Sequence, residues 1–372
     1  MRIAIEAQRI FRKNKHGMDF VALELIRALQ KIDNDNQYFI FVAPGEDEVL
    51  QESHNLKIIR VSMPSYPLWE QIALPMAVKK VKPDILHCTS NTAPIFCDVP
   101  LVVTIHDVIY LEKRSSSNRS LYQNLGWYYR KYNVPSVASK SKKILTVSSY
   151  ERDRIISTLK LPANMVEYIY NSYSEHFYYR QDSRVVIEKY LPDSRYIFFL
   201  GNTDPKKNTE MVLLAYSDYL EKSLDPLPLL IADLGAKYID EILRKMDIVH
   251  ISNMLRTPGY IPNRDLPYIY SGASLFLYPS LRESFGIPML EAMACRVPVI
   301  TSNTSAMPEI SGDAALLVNP FDFNDISKAM VDLLSDDTTR REHIERGMLR
   351  IKHFSWLKSA EQLLNIYNEV IY

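Results

Sequence analysis

Two glutamates eight residues apart, Glu283 and Glu291, stand in the run Tyr278-Pro-Ser-Leu-Arg-Glu-Ser-Phe-Gly-Ile-Pro-Met-Leu-Glu-Ala-Met-Ala294. Carboxylates accept paired hydrogen bonds from neighbouring hydroxyls, the pattern that sugars and riboses offer. Between them, a helix is expected to open near Phe285, with Pro288 in its first turn, where a missing N–H does no harm. The amides of Phe285, Gly286 and Ile287, together with the helix dipole, suit phosphate oxygens, and Gly286 lets the backbone come close. Glu291 is set among Ile287, Met289, Leu290, Ala292, Met293 and Ala294. A merely solvated glutamate would have more polar neighbours, so this one is expected to face a cleft. Acids flanking an anion-binding helix start can flank one elongated ligand that carries both hydroxyls and phosphate.

Three other places add to this chemistry. Lys207 follows Gly201, which ends an apolar run, and a lysine so placed can neutralise a diphosphate leaving group. Preorganised donors of this kind stabilise developing charge by about 3 kcal/mol each. His106 and Asp107 terminate the apolar run 101–105, at the end of a strand where ligands of parallel sheets bind. Gly17 stands between the first strand and the first helix, where an amide can approach phosphates, beside an Arg- and Lys-rich loop at 9–16. The one Asp-x-Asp, Asp33 and Asp35, sits in a polar turn after the first helix and reads as a helix-ending loop, so no metal site is expected.

Elements that alternate between strand and helix must position these groups. Strand-like runs at 2–7, 38–43, 57–62, 85–89, 101–106, 144–148 and 166–170 alternate with helical patterns, and a second set follows at 196–200, 229–233, 275–278 and 298–301. This alternation predicts an α/β protein with parallel sheets. In the first helix, 18–32, Met18, Val21, Ala22, Leu25, Leu29 and Ile32 share one face and Glu24, Arg27 and Lys31 face outward. A polar, aromatic stretch at 171–192 is the expected connection, giving domains at 1–180 and 181–355. The segment 356–372 is a closing helix with Leu357, Ala360, Leu363, Leu364, Tyr367 and Val370 on its apolar face, able to cross back to the first domain.

The 372 residues suffice for two cores. A formal net charge of zero argues against a general nucleic-acid binder. Cys88, Cys97 and Cys295 are scattered and odd in number, which points to a reducing cytoplasm rather than a disulfide framework or a zinc site. The opening MRIAIEAQRIF reads as a strand without a signal peptide's apolar run, and no stretch approaches membrane-spanning length, so any membrane contact is expected to be peripheral.

The run from Glu283 to Glu291 resembles the E-x7-E signature of glycosyltransferase family 4, retaining enzymes of the GT-B fold. That resemblance implies two Rossmann-like domains facing a central cleft. It gives Glu283 the hydroxyls of the transferred sugar and Glu291 the nucleotide ribose. Gly201, Asn202 and Lys206-Lys207-Asn208 resemble the family's phosphate-clamping loop, Lys207 matching its lysine. Gly259, Tyr260 and Ile261 resemble the turn whose backbone reads the base, and 307–320 with 354–356 resemble the closing segments. His106 would touch the donor sugar, while Asp107 would orient the acceptor or hold its loop. The resemblance implies a hexosyltransferase that needs no metal or cofactor, uses a nucleotide-sugar as substrate (GDP-mannose ahead of UDP-hexoses), and serves surface polysaccharide synthesis on a saccharide or lipid-linked acceptor.

Ser284 replaces a glycine frequent in the family, Asn202 an arginine, and Arg296 the glycine that ends the helix. Gly17-Met18 stands where many relatives carry two glycines. The rival is a catalytically silent nucleotide-sugar-binding or scaffolding protein of the same fold, against which His106, Lys207, Glu283 and Glu291 all argue. A dinucleotide oxidoreductase would need a G-x-G-x-x-G that neither first strand carries. Finally, residues 113–143 carry Arg114, Arg119, Arg130, Lys131, Lys140 and Lys142 without one Asp or Glu, interleaved with Tyr122, Trp127, Tyr128, Tyr129 and Tyr132. Such a face suits an anionic membrane or a lipid-diphosphate acceptor, and equally a helix packing its aromatics inward.

Overall fold

The computed structural model describes residues 1–13, 15–111, 121–192 and 195–372, without the side chains of 121–124. Contacts divide the chain into one unit of Met1–Asn171 with Ser355–Tyr372 and a second of Ser172–Phe354.

The first unit is built on seven strands: β1 (Arg2–Glu6), β2 (Gln37–Val42), β3 (Leu56–Arg60), β4 (Ile85–Cys88), β5 (Leu101–Thr104), β6 (Lys143–Thr146) and β7 (Val166–Tyr168). They pair in parallel in the order β3-β2-β1-β4-β5-β6-β7. Both faces of the sheet are buried, which is why these strands are nearly continuous apolar runs. Alternation assigns Ile3 and Ile5 of β1 to one core, under the helices Gly17–Ile32 and Trp356–Ile371, and Ala4 to the opposite core with Trp69, Leu86 and Val103.

The helix patterns hold with local differences. In Gly17–Ile32 the buried set is wider than one stripe, adding Asp19, Leu23, Ile26 and Ala28 to Val21, Ala22 and Leu29. In Trp356–Ile371, Leu357 is exposed and Ser359 takes an inward place, its hydroxyl donating to the Tyr170 carbonyl at 2.6 Å.

The second unit holds β8 (Ile197–Leu200), β9 (Leu229–Ala232), β10 (Leu255–Gly259), β11 (Leu275–Tyr278), β12 (Val299–Ser302) and β13 (Ala315–Val318). Their order is β10-β9-β8-β11-β12-β13, again parallel. Two of these strands, β10 and β13, were not among the sequence candidates. β10 is an irregular edge strand with Pro258 and a shift in register, so it lacks the apolar run of a central strand. In each sheet the strand order reverses beside the first strand of the unit, β1 next to β4 and β8 next to β11. The loops leaving such neighbours diverge and open a crevice, where ligands of doubly wound sheets bind.

The helix after β11 spans Ile287–Ala294, two residues later than expected, because Gly286 takes a left-handed φ of 92° and acts as its N-cap. It ends in a hydrogen-bonded Schellman turn: Arg296 N–H donates to the Met293 carbonyl and Val297 N–H to the Ala292 carbonyl, both at 3.0 Å. Arg296 therefore keeps the left-handed geometry, φ 60°, that glycine usually supplies. That conformation costs a non-glycine residue about 1–2 kcal/mol, partly offset by about 0.5–1 kcal/mol from its guanidinium lying 5.2 Å from the Tyr179 ring centre. Arg296→Gly is expected to raise the urea midpoint slightly and Arg296→Val to lower it; equal midpoints for the two would contradict the assignment.

Candidate active site

At the β8/β11 crossing the sequence residues come together. Gly201 directly follows β8, and a Cβ there would sit 2.5 Å from Leu234, so the backbone turns without a side chain. A short helical turn, Pro205–Lys207, follows, capped by the Asp204 carboxylate. Asn208, itself left-handed, donates to the carbonyls of Pro279 at 3.0 Å and Pro320 at 2.7 Å, and Leu281 N–H donates to the Lys206 carbonyl at 2.8 Å. These bonds pin the loop after β11 onto the loop after β8.

Lys207 Nζ consequently donates to Glu283 Oε1 at 2.7 Å and to the Tyr278 hydroxyl at 2.9 Å, and lies 4.7 Å from the Tyr278 ring centre. Both charged side chains are largely buried. Burial pushes the Glu283 carboxyl up, but Lys207, Lys206 and the hydrogen bonds from Lys207 and Tyr278 outweigh it and hold the group below the usual carboxylate range. An ammonium has three donors, and two are engaged here.

Glu291 lies one turn into the helix and accepts from the Tyr270 hydroxyl at 3.4 Å. The residue keeps a partly open surface, yet its carboxyl is deep enough that burial raises it to about 8. Tyr278 senses both acids, Glu283 more than Glu291. At the helix start the expected donors change. Phe285 precedes the helix and packs edge-on against Phe354 with ring centres 5.7 Å apart, which leaves Gly286 and Ile287 to head it. A Cβ on Gly286 would meet Met307 at 2.7 Å. Ser284 adjoins Glu283, whose amide donates to Ser305 Oγ at 3.1 Å.

Asn202, exposed, accepts from the Asp204 amide at 2.9 Å and so shapes the clamp loop. Gly259, φ 80°, begins the turn expected to read a base; Tyr260 there is exposed and Ile261 buried. The turn is tied to Asp233, whose N–H donates to the Gly259 carbonyl at 2.8 Å and whose carboxylate accepts from the Ile261 amide.

The raised Glu291 carboxyl carries a stability prediction. Between about pH 4.5 and 8 the folded protein holds a proton that the unfolded chain has released, so stability falls as pH rises. Glu291→Gln removes that loss: its melting temperature should match wild type near pH 5 and exceed it by several degrees at pH 8. Parallel curves would contradict it.

In the first unit, His106 lies two residues beyond β5 rather than at its end. Its N–H donates to Asn91 Oδ1 at 2.6 Å, and its Nε2 lies 2.9 Å from the Thr89 carbonyl, so Nε2 is assigned the proton and Nδ1 is the acceptor. Burial holds the imidazole below its usual pKa, against the opposing effects of Thr89, Asp107 and Asp19. Asp107 accepts from the Ile109 amide at 3.1 Å, which fixes its loop. Gly17 is the exposed first residue of its helix, with open space where a Cβ would stand.

Among the buried acids that escaped the sequence reading are Asp19, Glu6 and Glu70. Asp19 accepts from the His16 amide at 2.7 Å and pairs with Arg12, placing a carboxylate at the helix start. Glu6, at the end of β1, accepts from the amides of Gln8 at 2.9 Å and Thr89 at 3.2 Å, and burial raises it to about 7. Glu70 accepts from Tyr66, Thr92, Gln71 and Tyr129. The one available signal was a glutamate closing the apolar strand Arg2–Glu6. Asp33 binds the amides of Asp35 and Asn36 and the Tyr38 hydroxyl, which makes it a turn residue.

Two Rossmann-like units, each a parallel sheet whose strand order reverses once, are the architecture of the GT-B class of glycosyltransferase. Residues 16–175 match the family model for Glycosyltransferase Family 4, and residues 183–350 that for Glycosyl transferases group 1. The chain is 33% identical over 242 residues to O-antigen chain mannosyltransferase B of Escherichia coli, covering 64% of each protein. It is 27% identical over 321 residues to the serotype-specific mannosyltransferase WbdA of Escherichia coli, covering 81% of this chain and 38% of that one. The chain thus spans less than two thirds of the length of either relative. Among solved structures it is similar to sucrose-phosphate synthase from Thermosynechococcus elongatus (TM-score 0.76, 19% identity, 100% and 99% of the two chains). It is also similar to Anabaena HepE in complex with UDP and glucose (TM-score 0.71, 16% identity, 99% and 100%). The chain belongs to the family 4 glycosyltransferases.

Proposed function

We propose that the protein is a retaining hexosyltransferase that moves a sugar, mannose from GDP-mannose ahead of a UDP-hexose, to a saccharide or lipid-linked saccharide during surface polysaccharide synthesis. The observation that carries this reading is the Lys207–Glu283–Tyr278 cluster beside the amides of Gly286 and Ile287. In transfer, the bond between the sugar's C1 and the β-phosphate oxygen breaks, the acceptor oxygen bonds to C1, and its proton passes to the departing diphosphate. Lys207 has a third donor for the charge that gathers on that diphosphate. Glu283, held ionised, accepts hydroxyls of the hexose, and Glu291 accepts the ribose hydroxyls. His106, neutral, offers Nδ1 to a sugar hydroxyl. The nucleotide-sugar is the substrate, and the chemistry assigned to these residues calls for neither metal nor cofactor. The names of the two Escherichia coli relatives support mannose, and that of the first supports an O-antigen-type product. A cytoplasmic protein with peripheral membrane contact through 113–143 completes the reading, although 112–120 lie outside the described residues.

A thermal-shift screen with GDP-, UDP- and ADP-sugars tests the donor. At 100 times its dissociation constant the right one should stabilise by about 2.7 kcal/mol. No shift with any of them would sink the reading, and binding without nucleotide release in any donor–acceptor pair would favour a silent protein.

A further inference from the structure

The first unit carries two helical segments whose outward faces are apolar. Along the helices Tyr66–Leu68 and Leu74–Val81 and the π turn Trp69–Ala73 that joins them, Trp69, Glu70, Leu74 and Val78 turn inward. Leu68, Ile72 and Met76, four residues apart, face outward, Met76 being 61% exposed. On the helix Leu121–Ala138, Asn133, Val134 and Val137 are buried while Leu125, Tyr128 and Tyr132 are exposed, Tyr132 at 71%. Phe96, 82% exposed, stands on a loop that touches both segments.

Buried polar bonds fix these parts to one another. Glu70 of the first segment accepts from Tyr129 of the second, and Gln71 donates to the same hydroxyl at 2.6 Å. The Ala93 carbonyl accepts from Gln71 at 3.0 Å and from Asn133 at 2.9 Å. Lys140 donates to the Ile95 carbonyl at 3.2 Å and lies 5.1 Å from the Phe96 ring centre. The outward apolar side chains are thus displayed by a preassembled frame.

Charge selects the occupant. Lys79, Lys80, Lys131 and Lys140 are all exposed beside the apolar residues, and 121–143 contain no acid. A second copy docking by the same face would bring lysine onto lysine. An anionic lipid surface accepts both components, rings and aliphatic chains at the acyl boundary and ammonium groups among the phosphates. Among the described residues no helix is long and apolar enough to cross a membrane.

We infer that Tyr66–Val81 and Leu121–Ala138 together form a docking face for an anionic lipid bilayer. This deepens the reading of a lipid-linked acceptor, whose reactive end such docking would bring to the enzyme. The segment Tyr66–Val81 lies outside the basic stretch that the sequence singled out.

The test is flotation of the full chain with vesicles of neutral phosphatidylcholine alone or with 30 mol% phosphatidylglycerol, at about 50 and 500 mM salt. Binding is expected only with the anionic lipid and at low salt, falling about fivefold per charge in Lys79→Gln and Lys131→Gln. Ile72→Asp and Met76→Asp should each lower it at least tenfold. Because these side chains are exposed, melting temperature and nucleoside-diphosphate affinity should stay unchanged. Absent binding to anionic vesicles, equal binding of Ile72→Asp and wild type, or self-association lost in Ile72→Asp would each overturn the docking face. Nucleotide affinity, read on the same samples, reports separately on the transferase reading.

Discussion

Glu283→Gln is expected to lower turnover about 100-fold while leaving nucleoside-diphosphate affinity equal to wild type or a few times tighter. The amide keeps the shape of the side chain but loses charge-assisted bonds to sugar hydroxyls, and such bonds are worth about 1.5–3 kcal/mol each. It also frees Lys207, whose ammonium shares its hydrogens between Glu283 and Tyr278. With the carboxylate gone, that charge is better used by a diphosphate than by the protein. The variant should melt several degrees lower, since a largely buried cation has lost its counter-ion, and saturating nucleotide should restore most of the difference. Steady-state kinetics with calorimetric titration decide the matter. Turnover within about threefold of wild type, or affinity falling in step with turnover, would remove Glu283 from the sugar.

Lys207→Met should act on the other half of the same pair, with a different signature. Nucleoside-diphosphate affinity should weaken at least tenfold and kcat/KM about 100-fold, because charge on the departing phosphate is greatest in the transition state. The pH dependence of stability that this group contributes should change sign. In the wild type, Glu283 is held below the usual carboxylate range, so the folded protein binds fewer protons than the unfolded chain near pH 4, and stability from this group is lost as pH falls. Without Lys207 the largest opposing charge disappears and burial dominates, so the carboxyl shifts upward and the slope reverses. The melting difference between wild type and Lys207→Met should be small at pH 4 and large at pH 7. A difference independent of pH would show that the pair is not coupled in this way. Combined with Glu283→Gln, the two losses should fall short of additive, since each change already breaks the shared bond.

The sequence was legible wherever a local rule governed. Central parallel strands buried on both faces are apolar runs, so all seven strands of the first unit and four of the second were placed within a residue or two at most ends. β10 and β13 were missed, the former because an edge strand holding Pro258 breaks the pattern that reveals the rest. Helix faces were read in outline, but Leu357 was put inside, since a second sheltering element can shift a buried stripe by a residue without any change in periodicity. At the site, the chemistry of Lys207, Glu283 and Glu291 followed from residue type and setting, whereas their mutual arrangement did not. Lys207 and Glu283 are 76 residues apart and meet because β8 and β11 are neighbours in the sheet. Sequence spacing ties each residue to its own strand end and carries no record of strand order.

Alone, the sequence determined the α/β class, the strand ends that carry reactive groups, and the composition of a phosphate-and-hydroxyl site. The tertiary structure decided which acids are ionised. Glu283 sits against a lysine and stays charged; Glu291, Glu6 and Glu70 are pushed toward their protonated forms by burial. The reason is that a carboxyl's charge depends on the dielectric and the partners within a few ångströms of it. For Glu6 one of those partners is Thr89, 83 residues away along the chain, brought there by the pairing of β1 with β4.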